Sequence, residues 1–354
     1  MSNRGSFRVA IIIVGFRNPK DISACLAALS SAKTEPSFDI FVCENGGGES
    51  FLELAEALAG AQGPCCAFPG DLPQALTAPS GRFVDVRCLA LRGRSSRVWL
   101  GCADRNLGYA GGINAWVDRL SDIPDWEGIW ILNPDSKPEA EALEALVERA
   151  VTGNKGMVGS SIVSFDDPTH IHCRAGHRWR KLKVRLAIIG LGDPVNGPVD
   201  LAAVEASLDM VSGASMYVTR TCLRKIGLMD ERFFLYYEDA DWSMRAKHLG
   251  LGYASASVVP HQGGTTIGSA MRRAGRSELS VYLESRNRIE FVRKHFPRFL
   301  PLASVLSLPY AAEFLVARSP RNFWAALKGA VAGLKGETGP PPNSLLRLRS
   351  RETN

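Results

Sequence analysis

A continuous apolar run, Val9–Val14, ends at Gly15 close to the start of the chain. An uninterrupted run rich in β-branched residues is typical of a strand that is buried on both faces of a parallel sheet. An amphipathic helical pattern begins at Asp21, a second apolar run covers Phe38–Cys43, and a further helical pattern comes next. The order strand, helix, strand, helix predicts an α/β fold with a mostly parallel central sheet flanked by helices.

The length of 354 residues suggests about two domains or one large domain with additions. We expect residues 1–267 to form the α/β unit, with residues 60–97 as a Pro- and Gly-rich insertion that carries at most a short strand near Phe83–Val86. Residues 268–335 are predicted to form a basic, helical C-terminal extension. Residues 336–354 are predicted to be a flexible tail.

The net charge of +6 is unevenly distributed, since residues 268–354 hold 15 Lys and Arg against 6 Asp and Glu. A basic terminal quarter indicates contact with something anionic, although a solvated basic face is the alternative. Nucleic acid is disfavoured because aromatic residues are not interleaved with the basic ones. Eight scattered cysteines without a CxxC pair, and the lack of a secretory signal pattern, predict free thiols in the cytoplasm.

Within the C-terminal quarter, Leu300–Ala317 is apolar but is interrupted by Pro301, Pro309 and Glu313. It lacks the 18 uncharged apolar residues of a transmembrane helix. Two interpretations remain open: the segment lies on an anionic membrane leaflet, or it packs on the rest of the chain or on another subunit of a homo-oligomer. The basic residues considered for the leaflet are Arg286, Arg288, Arg293, Lys294, Arg298, Arg318 and Arg321.

Several familiar motifs are missing from the sequence. The first strand is not followed by a dinucleotide fingerprint, and neither a P-loop nor the G-x-S-x-G elbow of a hydrolase is present. Residues 164–208 are expected to be irregular. They contain His170, His172, Cys173 and His177, which lack the paired spacing of structural zinc sites.

Four predicted strand ends carry acidic or amide side chains, and in a parallel sheet such ends line one crevice where ligands bind. A single acidic residue in this position is most often a helix N-cap, but several together indicate a functional site. The four segments are Glu44-Asn45-Gly46, Asn106–Asn114, Asn133-Pro134-Asp135 and Glu238-Asp239-Ala240-Asp241.

The sequence resembles the inverting glycosyltransferases of family two, which have the GT-A fold, and in particular their rhamnosyltransferase-like branch. The resemblance spans roughly residues 9–335. It rests on the segments IIIVGFRNPKDISACLAAL, CENGGGES, NLGYAGGIN, ILNPD, VSGASMYVTR, GLMDERFFLYYEDADWSMRAKHLG, VPHQGG and YLESRNRIEF. It implies a nucleotide-sugar half of about residues 1–135 and an acceptor half of about residues 136–267.

The resemblance also implies a divalent cation, Mg²⁺ or Mn²⁺, between the enzyme and the donor diphosphate. Such a cation prefers oxygen ligands and neutralises the charge of the leaving group. The triplet Asn133-Pro134-Asp135 stands where the family has Asp-x-Asp, so Asp135 is its one carboxylate. The late histidine of the family falls on His261.

Inversion by a single displacement needs one base to accept the proton of the acceptor hydroxyl. The matched position for this base is Asp239, with Asp241 as an orienting group and Glu238 beside them. All three residues lie at a predicted helix start, where carboxylates are favoured. Asp241 and Arg245 are four residues apart and are expected to form an ion pair.

The nucleoside end of the donor is expected at the first strand ends, where Val14, Gly15 and Phe16 present backbone and an aromatic edge. Glu44 occupies the place of a family aspartate and so shifts the reach of the carboxylate. The residues predicted to bind the nucleotide-sugar are Val14, Gly15, Phe16, Arg17, Glu44, Asn45, Asn106, Gly111, Asn133 and Asp135.

The resemblance implies an enzyme of cell-surface polysaccharide synthesis that moves a sugar to a glycan or lipid-linked hydroxyl, in the cytoplasm or at the inner face of the membrane. The expected donor is dTDP-rhamnose, with UDP-galactofuranose or a UDP-N-acetylhexosamine as the variant. One rival is a nucleotide-sugar-binding protein that has lost turnover, which the neutral Asn133 favours. A nucleotidyltransferase is disfavoured because Gly15–Pro19 lacks its Gly- and Lys-rich motif.

Overall fold

The computed structural model of the chain describes residues 8–77, 81–263, 275–342 and 345. Within them, ten strands form a main sheet and three form a small second sheet. The strands are β1 (Val9–Gly15), β2 (Phe38–Glu44), β3 (Cys65–Ala67), β4 (Phe83–Leu91), β5 (Arg97–Ala103), β6 (Gly128–Leu132), β7 (Met157–Ser164), β8 (Ile171–Arg174), β9 (Gly176–Arg180), β10 (Arg185–Ile188), β11 (Met210–Val211), β12 (Ser215–Thr219) and β13 (Leu251–His261).

The main sheet has the strand order β13-β7-β12-β6-β1-β2-β5-β4-β3, and β8 pairs with β7. Strand β1 runs parallel to both β2 and β6, β2 runs parallel to β5, and β13 runs parallel to β7. Strand β12 is antiparallel between β6 and β7, and β3 and β4 form an antiparallel edge. The predicted α/β fold with a mostly parallel central sheet is therefore confirmed.

Helices cover both faces of this sheet. They are α1 (Pro19–Ser30), α2 (Gly48–Ala59), α3 (Gln74–Thr77), α4 (Gly108–Leu120), α5 (Ala142–Thr152), α6 (Leu201–Ser207), α7 (Arg220–Ile226), α8 (Glu238–Ala246), α9 (Glu278–His295), α10 (Leu300–Val316) and α11 (Pro320–Leu334).

Strand β1 is buried on both faces, as its apolar run predicts. Ile11 and Ile13 belong to a core cluster that contains Leu26 of α1, whereas Ile12 belongs to a second cluster that contains Trp116 of α4. Because successive side chains of a strand point to opposite faces, one uninterrupted apolar run supplies both cores.

Two stretches contain more regular structure than the sequence predicts. The insertion forms β3 and a nine-residue β4 that extend the sheet edge beyond β5, where a single short strand was expected. Residues 164–208 were expected to be irregular, yet they hold β8, β9, β10 and α6. The new strands are short or half-exposed, so the long apolar runs of buried strands are missing from them.

The sequence of residues 209–218 predicts one strand, but this strand is interrupted in the structure. It divides into β11, which pairs with β9 in the small sheet, and β12, which pairs with β6 and β7 in the main sheet. The turn between them, residues 212–214, reaches the carboxyl end of β6, where the Asn133 N–H donates to the carbonyl of Ala214 at 3.0 Å.

The C-terminal region is helical, in line with the sequence pattern, and it packs on the α/β unit. Ile289 and Phe291 of α9 share a buried cluster with Phe233 and Tyr237, which precede α8. A second cluster joins Phe314 of α10 to α9 and α11. The predicted tail lies largely outside the described residues, as do residues 268–274 of the predicted extension.

One helical segment, Pro297–Val316, is long and apolar enough to cross a membrane by length and composition alone, with a mean hydropathy of 1.6. Because it contains Arg298 and Glu313, the segment does not meet the stricter criterion of 18 uncharged apolar residues used in the sequence analysis. Only 28% of it is buried. Leu300, Leu302 and Leu306 pack partly against the core, whereas Val305, Leu308, Leu315 and Val316 are exposed, and their role is considered below.

Candidate active site

A cavity of about 930 Å³ opens at the carboxyl ends of β1, β2 and β6. Its walls come from three parts of the chain. The residues that line it are Val14–Arg17, Asn45–Gly47, Arg105, Asn106, Gly108, Tyr109, Asn133–Asp135, His177, Arg185, Leu186, Ser212–Ala214, Phe234–Asp239, His261, Arg276, Leu279, Glu284, Arg288 and Tyr310. Eleven of the fourteen predicted site residues are among them.

The first strand ends form the side of the cavity that the sequence predicts to bind the nucleotide, which we call the nucleotide side. In the register of β1 and β2, Gly15 lies opposite Glu44, so Phe16 and Arg17 lie beside Asn45. The Asn45 side chain ties this edge to the next turn: it donates to the carbonyl of Gly108 at 3.0 Å and accepts from the Leu107 N–H at 3.2 Å. These contacts hold two loops at one rim, as expected for a site built on parallel strand ends.

Glu44 and Gly111 do not line the cavity. The Glu44 side chain folds back beneath the loops, where Oε1 accepts from the Gly46 N–H at 2.7 Å and from the Arg17 N–H at 3.1 Å. Burial raises the pKa of Glu44 although both hydrogen bonds oppose the shift. Its predicted contact with the nucleoside base is corrected to support of the loops that line the cavity.

The glycine that the nucleotide side requires is Gly108 rather than Gly111. Gly108 has φ +72°, and a Cβ atom there would lie 2.4 Å from the carbonyl oxygen of Phe234. Gly111 lies inside α4 against Leu107. Both glycines belong to one turn-rich segment, and the choice between them depends on the position of Phe234, 126 residues later in the chain.

At the end of β6, Asn133, Asp135 and His261 lie together. His261 Nε2 is 3.1 Å from Asp135 Oδ1 and 3.1 Å from Asn133 Nδ2. The Tyr109 hydroxyl donates to the carbonyl of Gly213 at 2.8 Å and lies 3.0 Å from Asn133 Oδ1. Residues 128 positions apart in sequence are therefore brought together, as the resemblance implies for Asp135 and His261.

Asp135 and His261 are the predicted metal ligands. Asp135 Oδ1 and His261 Nε2 are 3.1 Å apart, which is the distance of a direct ion pair or hydrogen bond between them. A carboxylate oxygen and an imidazole nitrogen are both groups that can bind a divalent transition-metal cation such as Mn²⁺. Among the described residues, no group of three or more His, Cys, Asp or Glu side chains could hold a metal ion, so further ligands would have to come from a substrate.

Asp239 faces the cavity from the first turn of α8 and is partly exposed. Its Oδ2 accepts from the Gly213 N–H at 3.1 Å and its Oδ1 from the Ala240 N–H at 2.8 Å. Two backbone donors fix the orientation of the carboxylate, and each oxygen keeps a further acceptor site. This geometry suits a group that accepts a proton from a bound hydroxyl.

Glu238 is chemically different although it adjoins Asp239. Its side chain is 3% exposed, and its Oε2 has no hydrogen-bond partner among the described residues. Burial, together with the charge of Asp239, raises the pKa of Glu238 well above its usual range. Burial thus favours the protonated form of Glu238, whereas the Asp239 side chain is partly exposed to the cavity.

The raised pKa of Glu238 predicts a pH-dependent stability difference between the wild type and Glu238→Gln. Above about pH 4.5 the unfolded chain releases the proton while the folded protein retains it, so wild-type stability falls as the pH rises. This contribution is about 1.4 kcal/mol per pH unit, and the neutral amide does not have it. Urea denaturation at pH 5 and pH 7 should show the variant gaining relative stability at pH 7. Parallel pH profiles would contradict a neutral Glu238.

Asp241 is placed away from the cavity. Its carboxylate is fully buried and forms ion pairs with three basic side chains: Arg245 Nε at 3.0 Å, Lys294 Nζ at 2.6 Å and His295 Nε2 at 2.8 Å. Burial raises its pKa, but the hydrogen bonds from His295 and Lys294 outweigh this, so the pKa is lowered. The predicted pair with Arg245 is present, and the contacts with Lys294 and His295 join α8 to α9.

The loop before α8 has a strained backbone. Phe234, Tyr236 and Tyr237 have φ values of +63°, +70° and +71°, a region that bulky residues seldom adopt. The amide nitrogen of Asn287 in α9 lies 2.7–2.8 Å from the carbonyl oxygens of Phe233, Leu235 and Tyr236. We infer that Asn287 stabilises the conformation that presents Asp239.

Replacing Asn287 by alanine should therefore be strongly destabilising. The amide nitrogen has two hydrogens, so it can make two full hydrogen bonds to these three carbonyls at once, and about 1 kcal/mol or more for each gives an expected loss of at least about 2 kcal/mol. Asn322→Ala is the matched control because Asn322 is equally buried and donates to one carbonyl, that of Arg276, at 2.8 Å. Chemical denaturation should show a smaller loss for the control. Equal losses would mean that the three contacts are not worth more than one.

Sequence reasoning missed the far wall of the cavity. This wall consists of His177, Arg185, Arg276, Glu284, Arg288 and Tyr310. Four of these residues, Arg276, Glu284, Arg288 and Tyr310, belong to the predicted C-terminal extension, for which the sequence suggested a membrane or packing role. The Arg-Asn pair in YLESRNRIEF was the available signal, since polar residues within a buried helix often mark a site. His170, His172, Cys173 and His177 do not form a metal cluster within the described ranges.

No protein-family model matches the chain. In sequence it is similar to the low-salt glycan biosynthesis hexosyltransferase Agl10 of Haloferax volcanii, at 23% identity over 248 residues, or 67% of this chain and 75% of that protein. It is also similar to the N-acetylglucosaminyl-diphospho-decaprenol L-rhamnosyltransferase of Mycobacterium tuberculosis, at 26% identity over 178 residues. That alignment covers 46% of this chain and 58% of the relative. Both sequence relatives are glycosyltransferases.

Among solved structures, the mannosyltransferase PcManGT from Pyrobaculum calidifontis, in complex with GDP-Man and Mn²⁺, aligns with a TM-score of 0.48 at 13% identity. The alignment covers 94% of this chain and 88% of that one. S. aureus TarS aligns with a TM-score of 0.43 at 11% identity, over 82% of this chain and 44% of TarS.

Proposed function

We propose that the protein is a metal-dependent, inverting glycosyltransferase that uses a nucleotide-sugar donor. The observation that carries the proposal is the convergence of Asp135, His261 and Asp239 in one cavity at the carboxyl ends of parallel strands. The similarity to two glycosyltransferases of glycan biosynthesis supports the same reaction class.

In the proposed reaction, the acceptor hydroxyl oxygen attacks the anomeric carbon of the donor sugar. The new carbon–oxygen bond forms as the bond to the diphosphate breaks, and Asp239 takes the hydroxyl proton. A single displacement inverts the anomeric configuration. Asp239 is oriented for this step by the N–H groups of Gly213 and Ala240. Base catalysis of this kind typically contributes about 10²–10⁴-fold.

Asp135 and His261 are the residues that would hold the cation, which neutralises the charge of the departing diphosphate when bound. The nucleoside would then lie toward Val14–Arg17 and Asn45, where the β1 and β2 loops meet. Arg17 and Arg105 line the same part of the cavity and can face phosphate oxygens. The donor proposed first is dTDP-rhamnose, with UDP-galactofuranose and UDP-N-acetylhexosamine as the variants.

The competing proposal is a nucleotide-sugar-binding protein without turnover, which Asn133 in place of a carboxylate favours. A panel of these nucleotide-sugars, incubated with Mn²⁺ and a lipid extract, separates the two. Release of a nucleoside diphosphate from one donor supports the transferase. Thermal stabilisation by a nucleotide-sugar, without release from any of them, identifies the binding protein.

We also propose that the C-terminal helices contact an anionic membrane surface. Seven large apolar side chains of α10 and α11 are at least 43% exposed, including Val316 at 87% and Val305 at 71%. They are Val305, Leu308, Leu315, Val316, Trp324, Val331 and Leu334, which we call the apolar face. Exposed apolar patches on helices are typical of interaction surfaces. A lipid-linked acceptor would make membrane contact useful.

The structure corrects the set of basic residues expected to meet the lipid. Arg286 and Arg288 are buried, and Lys294 is engaged by Asp230 and Asp241. Arg293 donates to the carbonyl of Gly333 at 2.7 Å. Those that remain exposed beside the apolar face are Arg298, Arg318, Arg321, Lys328 and Lys335.

Liposome flotation should show binding to phosphatidylglycerol vesicles and not to neutral ones. Each basic residue near such a surface contributes about 1 kcal/mol, and salt weakens the attraction. The double variant Val305→Glu and Val316→Glu should not float. Leu52→Glu is the matched control, because Leu52 is 54% exposed on α2, outside the apolar face. If wild-type protein fails to bind at low salt, the helices serve packing instead.

A further inference from the structure

The far wall of the cavity carries more positive charge than negative charge. Three arginines line it: Arg185 of β10, Arg276 before α9, and Arg288 within α9. Arg185 is paired with Glu313 of α10, and Arg276 is paired with Glu284 of α9. Arg288 has no carboxylate partner among the ion pairs of the described residues.

Arg288 is 2% exposed and yet lines the cavity. Its Nη2 donates to the Ser307 hydroxyl at 3.0 Å, and its guanidinium stacks on the Tyr310 ring at 4.4 Å. Neither Nε nor Nη1 has a hydrogen-bond partner in the described part of the chain. A buried charge is costly unless it is paired, so two free N–H groups on a fixed guanidinium indicate an anionic ligand.

The neighbours of Arg288 orient it without neutralising it. The Arg185 guanidinium also lies over the Tyr310 ring, with its Cζ 5.0 Å from the ring centroid. Two guanidinium groups therefore approach one ring at the cavity wall, and one carboxylate, Glu313, accompanies them there. Nη2 carries a second hydrogen besides the one given to Ser307, so an edge that it shares with Nε or Nη1 can bind phosphate oxygens through two parallel hydrogen bonds.

Arg288 lines the cavity from α9, whereas Asp135 follows β6 and His261 ends β13. The donor phosphates are expected beside Asp135 and His261, below the ends of β1 and β6. Arg288 is close enough to Tyr237 for its charge to act on the Tyr237 hydroxyl. Burial raises the pKa of Tyr237, the charge of Glu284 raises it further, and the charge of Arg288 lowers it. Tyr237 directly precedes Glu238 and Asp239, so Arg288 lies close to the segment that carries the proposed base.

We propose that Arg288 is the centre of a second anion subsite, which binds the diphosphate of a lipid-linked acceptor while the donor occupies the nucleotide side. The identity of the ligand as an acceptor depends on the proposed transferase function, whereas the binding of a diphosphate at Arg288 does not. Arg288 touches the phosphate that joins the acceptor sugar to its lipid. The lipid chain would leave the cavity past α10, the helix that carries part of the apolar face.

Calorimetric titration with inorganic pyrophosphate tests the subsite directly. EDTA is present throughout, so that a cation at Asp135 cannot hold the probe. Wild-type protein should bind saturably, and Arg288→Gln should bind at least tenfold more weakly. Arg224→Gln is the matched control, because Arg224 is exposed on α7 and should leave the affinity unchanged. Asp135→Ala should bind at least as well as wild type, since it removes a negative charge from the cavity.

A second measurement covers the case in which Arg288→Gln does not fold. In wild-type protein, the arginine side-chain N–H resonances are followed by NMR, and the Nε–H of Arg288 should shift on addition of pyrophosphate. Farnesyl diphosphate should bind more tightly than pyrophosphate if the anion is lipid-linked. Equal affinity of the two probes would assign the site to free diphosphate instead.

Two results would overturn the subsite: no saturable binding of pyrophosphate to wild-type protein, or equal affinity of folded Arg288→Gln. An unmoved Arg288 resonance at saturation would do the same. Failure of the proposed function gives a different pattern, because every nucleotide-sugar is then left intact while pyrophosphate still binds in an Arg288-dependent way.

Discussion

Asp239→Asn should lower the rate of sugar transfer by about 10²–10⁴-fold while nucleotide-sugar binding is retained. The amide preserves the size of the side chain, and its oxygen can still accept from the Gly213 N–H, but it cannot take up the proton of the acceptor hydroxyl. Because the lost interaction is made in the transition state, the effect should fall on kcat rather than on KM. Steady-state kinetics with the donor and acceptor both varied measures this split.

Glu238→Gln is the matched control for this substitution. Glu238 is buried and held neutral, so replacing it with a neutral amide should change kcat by less than about tenfold. Both residues line the cavity, but Asp239 is partly exposed whereas Glu238 is buried with a raised pKa, so the same change at adjacent residues compares two different environments. Wild-type turnover by Asp239→Asn, or an equal loss in both variants, would contradict Asp239 as the base.

Asp135→Ala should abolish metal-dependent activity. The triplet Asn133-Pro134-Asp135 contains one carboxylate, so a second one there cannot compensate. A bound divalent cation is worth several kcal/mol to a departing diphosphate, which corresponds to a loss of at least about 10²-fold in kcat/KM. Nucleoside diphosphate binding should also cease to depend on Mn²⁺. Activity with and without EDTA, measured for both proteins, checks both effects.

Asn133→Asp should strengthen metal binding, whereas Asp135→Ala should weaken it. Asn133→Asp restores the Asp-x-Asp arrangement beside His261, since Asn133 Nδ2 lies 3.1 Å from His261 Nε2. A second carboxylate at this position should strengthen Mn²⁺ binding and lower the Mn²⁺ concentration needed for half-maximal activity. If EDTA leaves wild-type activity unchanged, the metal assignment fails and Asp135 is a structural residue.

The central sheet could be predicted because local sequence encodes it. The run Val9–Val14 needs two buried faces, and the helices on either side of it supply them. The edge strands β4 and β10 were not predictable in the same way. They are half-exposed, so their side chains do not form a continuous apolar pattern, and their pairing depends on neighbours far along the chain.

The site divides in a similar manner. Asp135, Asp239 and His261 lie in motif-like segments at strand ends or a helix start, and the fold brings them to one cavity. Glu44 and Asp241 look equivalent to them in sequence, but each is drawn to nearby donors: backbone N–H groups for Glu44 and three basic side chains for Asp241. A carboxylate in the right segment is thus not sufficient, because local hydrogen-bond donors decide where it points.

The far wall could not be derived from local patterns at all. Asn287 and Arg288 occupy a helix whose apolar periodicity is weak, and their partners are the loop at Phe233–Tyr236 and the side chains of α10. These contacts join segments that are 19 to 54 residues apart. The basic composition of the extension was visible in the sequence, but the direction in which each cation points depends on tertiary packing.

The most direct test of the central claim is a time course of the anomeric proton signals by NMR, with each candidate nucleotide-sugar, Mn²⁺ and the wild-type protein. We expect one donor to be consumed, with a nucleoside diphosphate and a sugar of the opposite anomeric configuration appearing together before mutarotation. Consumption with retained configuration would contradict a single displacement at Asp239. If every donor stays intact with acceptor lipid present, the protein is not the transferase proposed here.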